Sequence, residues 1–294
     1  MTYRNPATST EDSSAKTVRI YEAAGKILGP IDSVRSAAGE LYWSRHVIWH
    51  LFVRDFVAGF RQKLLGYLWI VLAPLIGIAS FVFMQSTGIL NIGNIAIPYP
   101  IFVFVGTTVW GLLIGALTTV ANGLVVNADL VMRTNIPKIG LALTGMANIC
   151  YGLLINLVVL ALLLLVYGVV PSPWALLYPI AVLPIVLLGI GFGLILAVIG
   201  AVARDITAMF ATAFNLLMYV TPVVYAAEFS NPVLQAIVRW NPLTHLVDAP
   251  RSLLVAGQIK DPVAFAAACV FALLVLWCGL HAFYLIKDKV AERL

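Results

Sequence analysis

Charged side chains are missing from two long stretches of this chain: residues 64–128 and 139–203 each run 65 positions without Asp, Glu, Lys or Arg. A helix crossing the roughly 30 Å hydrocarbon layer of a bilayer needs about 20 apolar residues, so each stretch holds two crossings and a turn. Polar residues between Gln85 and Asn94 divide the first stretch, and Pro171, Ser172 and Pro173 divide the second. The predicted spans are 64–84, 98–121, 140–169 and 175–203. Beyond Arg204 and Asp205, uncharged runs at 206–227 and 262–286 predict two more. The pattern is that of an all-α integral membrane protein with six transmembrane helices.

Charge then sets the orientation, because Lys and Arg are retained in short loops on the cytoplasmic side. Of the 18 basic residues nine precede the first span, which places the N-terminus inside. Arg133, Lys138 and Arg204 then fall in inner loops and Lys287, Lys289 and Arg293 in an inner tail, leaving Arg239, Arg251 and Lys260 outside. Both termini are predicted to be cytoplasmic. The net charge of +5 follows from this topology and from headgroup contact, so nucleic-acid binding is not expected. Residues 1–39 are polar and lack an apolar core, which predicts a partly mobile cytoplasmic extension rather than a cleavable leader. Cys150, Cys269 and Cys278 lie in predicted spans and read as small buried packing residues.

The predicted spans hold no acid and no base, whereas ion-coupled carriers place such groups within the bilayer. His281, near the inner end of the last span, reads as interfacial. No Gly-x-x-x-x-Gly-Lys-Ser/Thr phosphate loop occurs, nor any metal-ligand cluster or paired catalytic carboxylates. Uphill movement would therefore draw its energy from a partner.

Three segments outside the spans carry further chemistry. In residues 40–63, Trp49, Phe52, Phe56 and Phe60 fall at i, i+3, i+7 and i+11, with Arg54, Asp55, Arg61 and Gln62 opposite, which predicts an amphipathic helix in the headgroup plane. A helix docked on a soluble domain is the alternative. The loop 127–138 mixes apolar and charged residues; a short helix from Asp129, stopped near Pro137, would present Leu130, Val131 and Ile136 with Arg133 and Lys138 outside the bilayer. Segment 228–261 is broken at Asn231-Pro232, Asn241-Pro242 and Pro250-Arg251 into pieces too short to span. It reads as re-entrant outer half-helices between spans 5 and 6, or as surface amphipathic helices. Arg239, His245, Asp248 and Arg251 there are suited to an outer gate or to an anionic group.

These residues carry a resemblance. Arg54-Asp55, then Phe60-Arg61-Gln62-Lys63-Leu64-Leu65-Gly66-Tyr67-Leu68-Trp69 running on through Ala73-Pro74-Leu75, resembles the approach to the first span in ABC-2 type permeases that export polysaccharides. Asn135-Ile136-Pro137-Lys138 resembles their coupling helix, and Thr221-Pro222-Val223-Val224-Tyr225 followed by Asn241-Pro242-Leu243-Thr244 resembles their fifth span and outer helices. The similarity covers roughly residues 40–290, and the extension before it is not explained. Gly59-Phe60-Arg61 stands where the family often shows Arg-Tyr-Arg, and Lys63 where it shows Ser or Thr.

The resemblance implies residues 64–294 as the transmembrane domain, in a homodimer with two copies of an ABC nucleotide-binding subunit that carries the ATP and Mg; this chain would need no cofactor of its own. Coupling to that subunit would fall to Asp129, Leu130, Arg133, Asn135, Pro137 and Lys138. The amphipathic helix would gate the cytoplasmic side, with Arg54, Arg61 and Lys63 near a lipid pyrophosphate; positive-inside anchoring explains these three equally well. The implied cargo is a polysaccharide such as O-antigen, teichoic acid, capsule or cell-wall galactan on a polyprenyl pyrophosphate. Tyr67, Trp69, Trp110, Tyr151, Tyr219 and Tyr225 are candidates to line its channel, because sugar C–H faces stack on aromatic rings. A drug or small-lipid exporter of the same fold would share these features, and a membrane-embedded transferase is a further alternative.

Overall fold

The computed structural model describes residues 29–61, 66–90, 92, 93, 95–134, 136–200, 204–227 and 231–291. Every regular element among them is helical: α1 (Pro30–Trp43), α2 (Arg45–Arg61), α3 (Gly66–Ser86), α4 (Tyr99–Val126), α5 (Ala128–Arg133), α6 (Lys138–Leu143) and α7 (Met146–Val166) lead to a 3-10 turn, Pro173–Leu177. Then follow α8 (Tyr178–Ala181), α9 (Leu183–Gly200), α10 (Arg204–Leu217), α11 (Pro232–Trp240), α12 (Pro242–Ala256) and α13 (Pro262–Ala291). Lys63 and Asn135 lie outside the described residues, as do the side chains of Arg61, Tyr67 and Trp69.

α4 is the axis of the molecule. Its 28 residues carry no charge and are mostly apolar, and 18 of them are buried. Ile101, Val103, Val105, Val109 and Leu113 are accordingly inaccessible, packed with Leu160, Ile185 and Leu188 in the larger of the buried clusters. A second cluster, at the other end of α4, joins Val120 and Leu124 to Ile139, Leu141, Leu194 and Phe283. α9 lies between α4 and α13. It brings backbones into contact through glycine: Gly189 and Gly193, four apart, abut the Leu113 and Leu117 carbonyls of α4, while Gly191 abuts Gly279 and Leu276 of α13. A Cβ at Gly279 would fall 2.3 Å from the Gly191 oxygen, so neither position accepts one.

Four segments are long and apolar enough to cross a membrane among the described residues: Tyr99–Val126, Lys138–Val166, Pro173–Gly200 and Pro262–Lys287. They overlap most of the predicted spans 2, 3, 4 and 6. Lys138–Val166 is interrupted at Thr144 and Gly145, and Pro173–Gly200 at Val182. The apolar pieces Pro74–Ser86 of α3 and Asp205–Leu217 of α10 are shorter. α10 illustrates why the uncharged run 206–227 overstates its helix. Regular structure ends at Leu217, where Met218, Tyr219 and Val220 turn onto carbonyls three residues back, ahead of Pro222, which has no N–H to continue the ladder. The cysteines are free, and Cys150 and Cys278 are exposed on the outsides of α7 and α13 rather than buried.

Candidate functional site

The predicted coupling loop is a six-residue helix, α5, held at its base. Asn127, buried where α4 ends, donates through Nδ2 to the Gly123 carbonyl (2.9 Å) and reaches Thr144 Oγ1 (3.3 Å) and the Leu141 carbonyl (3.4 Å) on α6 and beyond. α4 and α6 touch backbone to backbone here, because a Cβ at Gly123 would lie 2.5 Å from the Ala142 oxygen. On this footing Asp129, Met132 and Arg133 are exposed, with Asp129 and Arg133 paired at 4.0 Å. Such a pair adds little stability, so these side chains are available to a partner. Leu130, Val131 and Ile136 turn inward against the second cluster, contrary to the sequence expectation; Val126 and Met132 are the apolar groups presented instead. The helix ends at Thr134, in extended conformation, and Pro137 instead starts α6, with Lys138 half-buried.

α2 lies beside this loop. Trp49, Phe52 and Phe56 stack in sequence at 5.6 and 6.4 Å, and Phe56 meets Tyr151 of α7 edge-on at 5.2 Å. Toward the rest of the protein the helix turns other residues: Ile48 fits against Gly140 and Leu51 packs against the second cluster, whereas Trp49 is exposed. Arg54 and Asp55 bond to each other at 2.8 Å. They face the coupling loop across a cavity of about 670 Å³ that also takes in Asp129, Leu130, Thr118, Thr119, Asn122 and Asn148. The structure thus brings a predicted gate residue and two predicted coupling residues to one wall. A search for charged groups passed over the neutral amides and hydroxyls, although the Thr118–Asn122 spacing of four on an uncharged helix was a visible signal.

α1 crosses the expected boundary between extension and amphipathic helix. Its buried Ser33 donates to the Gly29 carbonyl and lies 3.2 Å from His281 Nδ1, while Glu40 pairs with Lys287 at 2.8 Å, the ammonium resting over the Tyr284 ring. The last helix is therefore strapped to the segment that precedes α2.

At the opposite end of α4, the two Asn-Pro pairs do what their chemistry suggests. Asn231 and Asn241 cap α11 and α12 through bonds from the Val233 and Leu243 amides, with Pro at the first helical position. Asn241 Nδ2 also donates to Thr221 Oγ1 at 3.0 Å, and Tyr99 donates to the Val224 carbonyl at 3.1 Å. Arg251 completes the clamp. Only 6% exposed, it donates to the Val223 carbonyl (2.8 Å) and the Pro222 carbonyl (3.4 Å), pairs with Asp248 (3.4 Å) and lies 3.7 Å from the centre of the Phe102 ring. Gly106 makes the room, since a Cβ there would meet the Val223 oxygen at 2.2 Å and the guanidinium at 2.4 Å. His245 donates from Nε2 to the Arg239 carbonyl, and with Asp248 these residues border a cavity of about 370 Å³; Arg251 faces a neighbouring one of about 420 Å³.

The aromatic candidates divide. Trp110 is 2% exposed within the larger cluster and has no free face, which removes it from any channel wall formed by this arrangement. Tyr151 lies against Phe56. Tyr219 is 60% exposed, and Tyr225 is half-buried with its hydroxyl donating to the Tyr219 carbonyl.

Known proteins share this arrangement in sequence. The chain is 24% identical over 244 residues to the O-antigen export system permease protein RfbA of Klebsiella pneumoniae, covering 82% of this chain and 92% of the relative. It is 23% identical over 261 residues to the protein of the same name from Myxococcus xanthus, covering 87% and 98%. The polysialic acid transport protein KpsM of Escherichia coli is 22% identical over 257 residues, covering 81% and 92%. Residues 46–255, from α2 through almost all of α12, match the family described as ABC-2 type transporter, and the chain belongs to that family.

Proposed function

We propose that two copies of this chain form the conduit of an exporter that moves a polyprenyl-pyrophosphate-linked polysaccharide out of the cytoplasm, driven by two copies of a separate ATPase subunit carrying ATP and Mg. α3 and α10 supply two further crossings in this reading, for six in all, with both termini inside the bacterial inner membrane. α2 lies in the inner headgroup plane and α11 and α12 enter the outer leaflet and return. ATPase closure pushes on α5, and α2 responds across the shared cavity.

The observation that carries the proposal is a polar stripe on α10. Asp205, Thr212 and Asn215 are exposed and recur at about helical spacing on one side of α10, and Tyr219, also exposed, follows in the turn beyond its end. Polar groups facing lipid are unfavourable, so such a stripe belongs against a wet passage, and its hydroxyls and amide suit an uncharged hydroxyl-rich polymer. The names of the relatives point the same way.

The test is made in cells depleted of the chain. Radiolabelled lipid-linked glycan should accumulate at full length on the cytoplasmic leaflet, protected from glycan-degrading enzyme added outside. An unaltered distribution between the leaflets refutes the proposal.

A further inference from the structure

The cavity between α2, α4, α5 and α7 is bordered by six neutral hydrogen-bonding side chains, Thr118, Thr119, Asn122, Asn127, Thr144 and Asn148. Part of their capacity is spent inside the protein: Thr118 donates to the Ile114 carbonyl, Asn122 to the Thr118 carbonyl, Thr144 to the Leu141 carbonyl and Asn127 to the Gly123 carbonyl, at 2.8 to 2.9 Å. Asn127 spends none of its side chain on capping α5. The Asn122 amide keeps a second N–H, and amide oxygens and hydroxyl lone pairs add acceptors, so the wall offers both kinds of partner. A ligand whose groups donate and accept at once, as hydroxyls do, matches it.

Charge narrows the choice. Two arginines balance the two carboxylates at the rim, Arg54 at 2.8 Å from Asp55 and Arg133 at 4.0 Å from the exposed Asp129. A rim without net charge selects neither a cation nor an anion. A neutral polyhydroxyl compound suits it: its hydroxyls can donate to the amide and hydroxyl oxygens and accept from amide N–H groups and from Arg54. The volume of about 670 Å³ lies within the usual range for small-ligand sites and well above what one water fills.

The geometry points to a sugar-binding subsite inside each copy of the chain, formed by Thr118, Thr119, Asn122, Asn148 and Arg54, next to the coupling helix. The inference rests on the export proposal for its ligand class and deepens it, because a sugar held there touches α2 and α5 at once. Loading of cargo would then be sensed directly by the element that meets the ATPase.

The full chain in lipid nanodiscs is titrated with two probes: lipid-free oligosaccharides of three to six units, cut from the cell's own exported glycan, and inorganic pyrophosphate. Saturable oligosaccharide binding is expected in the wild type. Asn122→Leu with Asn148→Leu, both at exposed positions, should weaken it about tenfold, the loss of two neutral hydrogen bonds. Thr119→Val, which removes one hydroxyl at nearly constant shape, should weaken it severalfold and serves if the double variant does not fold. Equal binding by wild type and variants overturns the subsite, as does displacement of oligosaccharide by pyrophosphate, which would assign the cavity to a phosphate group. Absence of oligosaccharide binding by the wild type overturns it too. The export proposal is decided separately by the leaflet assay, so a chain that exports but binds no sugar here sinks the subsite alone.

Discussion

Gly123→Ala should disconnect the coupling helix from its footing. The added Cβ would lie 2.5 Å from the Ala142 oxygen and 2.8 Å from its Cα, and both atoms are backbone, so no side-chain rotation relieves the clash. Ordinary carbon contacts begin near 3.5 Å, which requires α6 to withdraw by roughly 1 Å. Overpacking of this kind costs about 1–3 kcal/mol. The same movement stretches the Asn127 bonds to Leu141 and Thr144, already 3.4 and 3.3 Å, beyond hydrogen-bonding range. Each is worth about 1 kcal/mol, so the total is roughly 3–5 kcal/mol. At roughly 2–4 °C per kcal/mol, the unfolding midpoint of the purified chain, read by fluorescence-detected size exclusion after heating, should fall by about 6–20 °C. In the assembled exporter, ATP hydrolysis should persist while glycan export falls. Gly111→Ala is the control: it is on the same helix, and a Cβ there meets nothing within 4 Å. If the two variants melt and export alike, the backbone contact at Gly123 does not anchor the coupling loop.

Replacing Arg251 by Met leaves the Pro222 and Val223 carbonyls and Asp248 without their donor and should cost about 3–5 kcal/mol; Arg251→Lys should not rescue, because an ammonium cannot serve two carbonyls and the Phe102 face together, and full rescue would refute that geometry. Arg133→Glu with Lys138→Glu should uncouple export from ATP hydrolysis while leaving the chain in the membrane; unchanged export counts against α5 as the coupling element. Trp110→Ala should lower thermal stability by about 3–5 kcal/mol, as for other buried aromatics, whereas Tyr219→Ala should slow export at unchanged expression. Equal losses from both would remove the distinction between core and conduit. Combining Gly106→Ala with Gly123→Ala should give an export defect that is not the product of the two single defects, and strict independence would mean that the ends of α4 do not communicate.

Four of the predicted spans were readable because a charge in a bilayer is so costly that its absence is visible at a glance. The breaks at Asn231-Pro232 and Asn241-Pro242 were readable because they are local: an Asn side chain reaches the amide two residues on, and the structure shows each pair starting a helix. Facing was not readable. α4 carries no charge, so nothing in its pattern distinguishes Trp110 in the core from a side chain on a channel wall. In α2, aromatic spacing picks out the apolar face, but it does not say that Ile48 and Leu51 are the residues that meet Gly140 and the second cluster. The contact of Ser33 with His281 joins residues 248 positions apart, and no periodicity foreshadows it. The early end of α10 combines both kinds: Pro222 warned of a break, but the turn is fixed by Arg251, Asn241 and Tyr99 from three other places in the chain.

α4 gives these separate features a common mechanical sense. Gly106, under the Arg251 clamp, and Gly123, on the coupling footing, are 17 positions apart, roughly 26 Å along one continuous helix. Each is wedged against neighbouring backbone, and many of the intervening residues are buried in a close-packed interior of low compressibility. On the proposed coupling, a push on α5 would therefore be poorly absorbed within α4. It must be passed along the helix or released at points where regular hydrogen bonding already lapses, at Thr144 and Gly145 below and in the turns after Leu217 above. Those joints flank the rod at its two ends, one beside the sugar-sized cavity and one beneath α12. On the proposed mechanism, force entering at one joint would appear as movement at the other, which is how spans predicted to hold neither acids nor bases could do directed work.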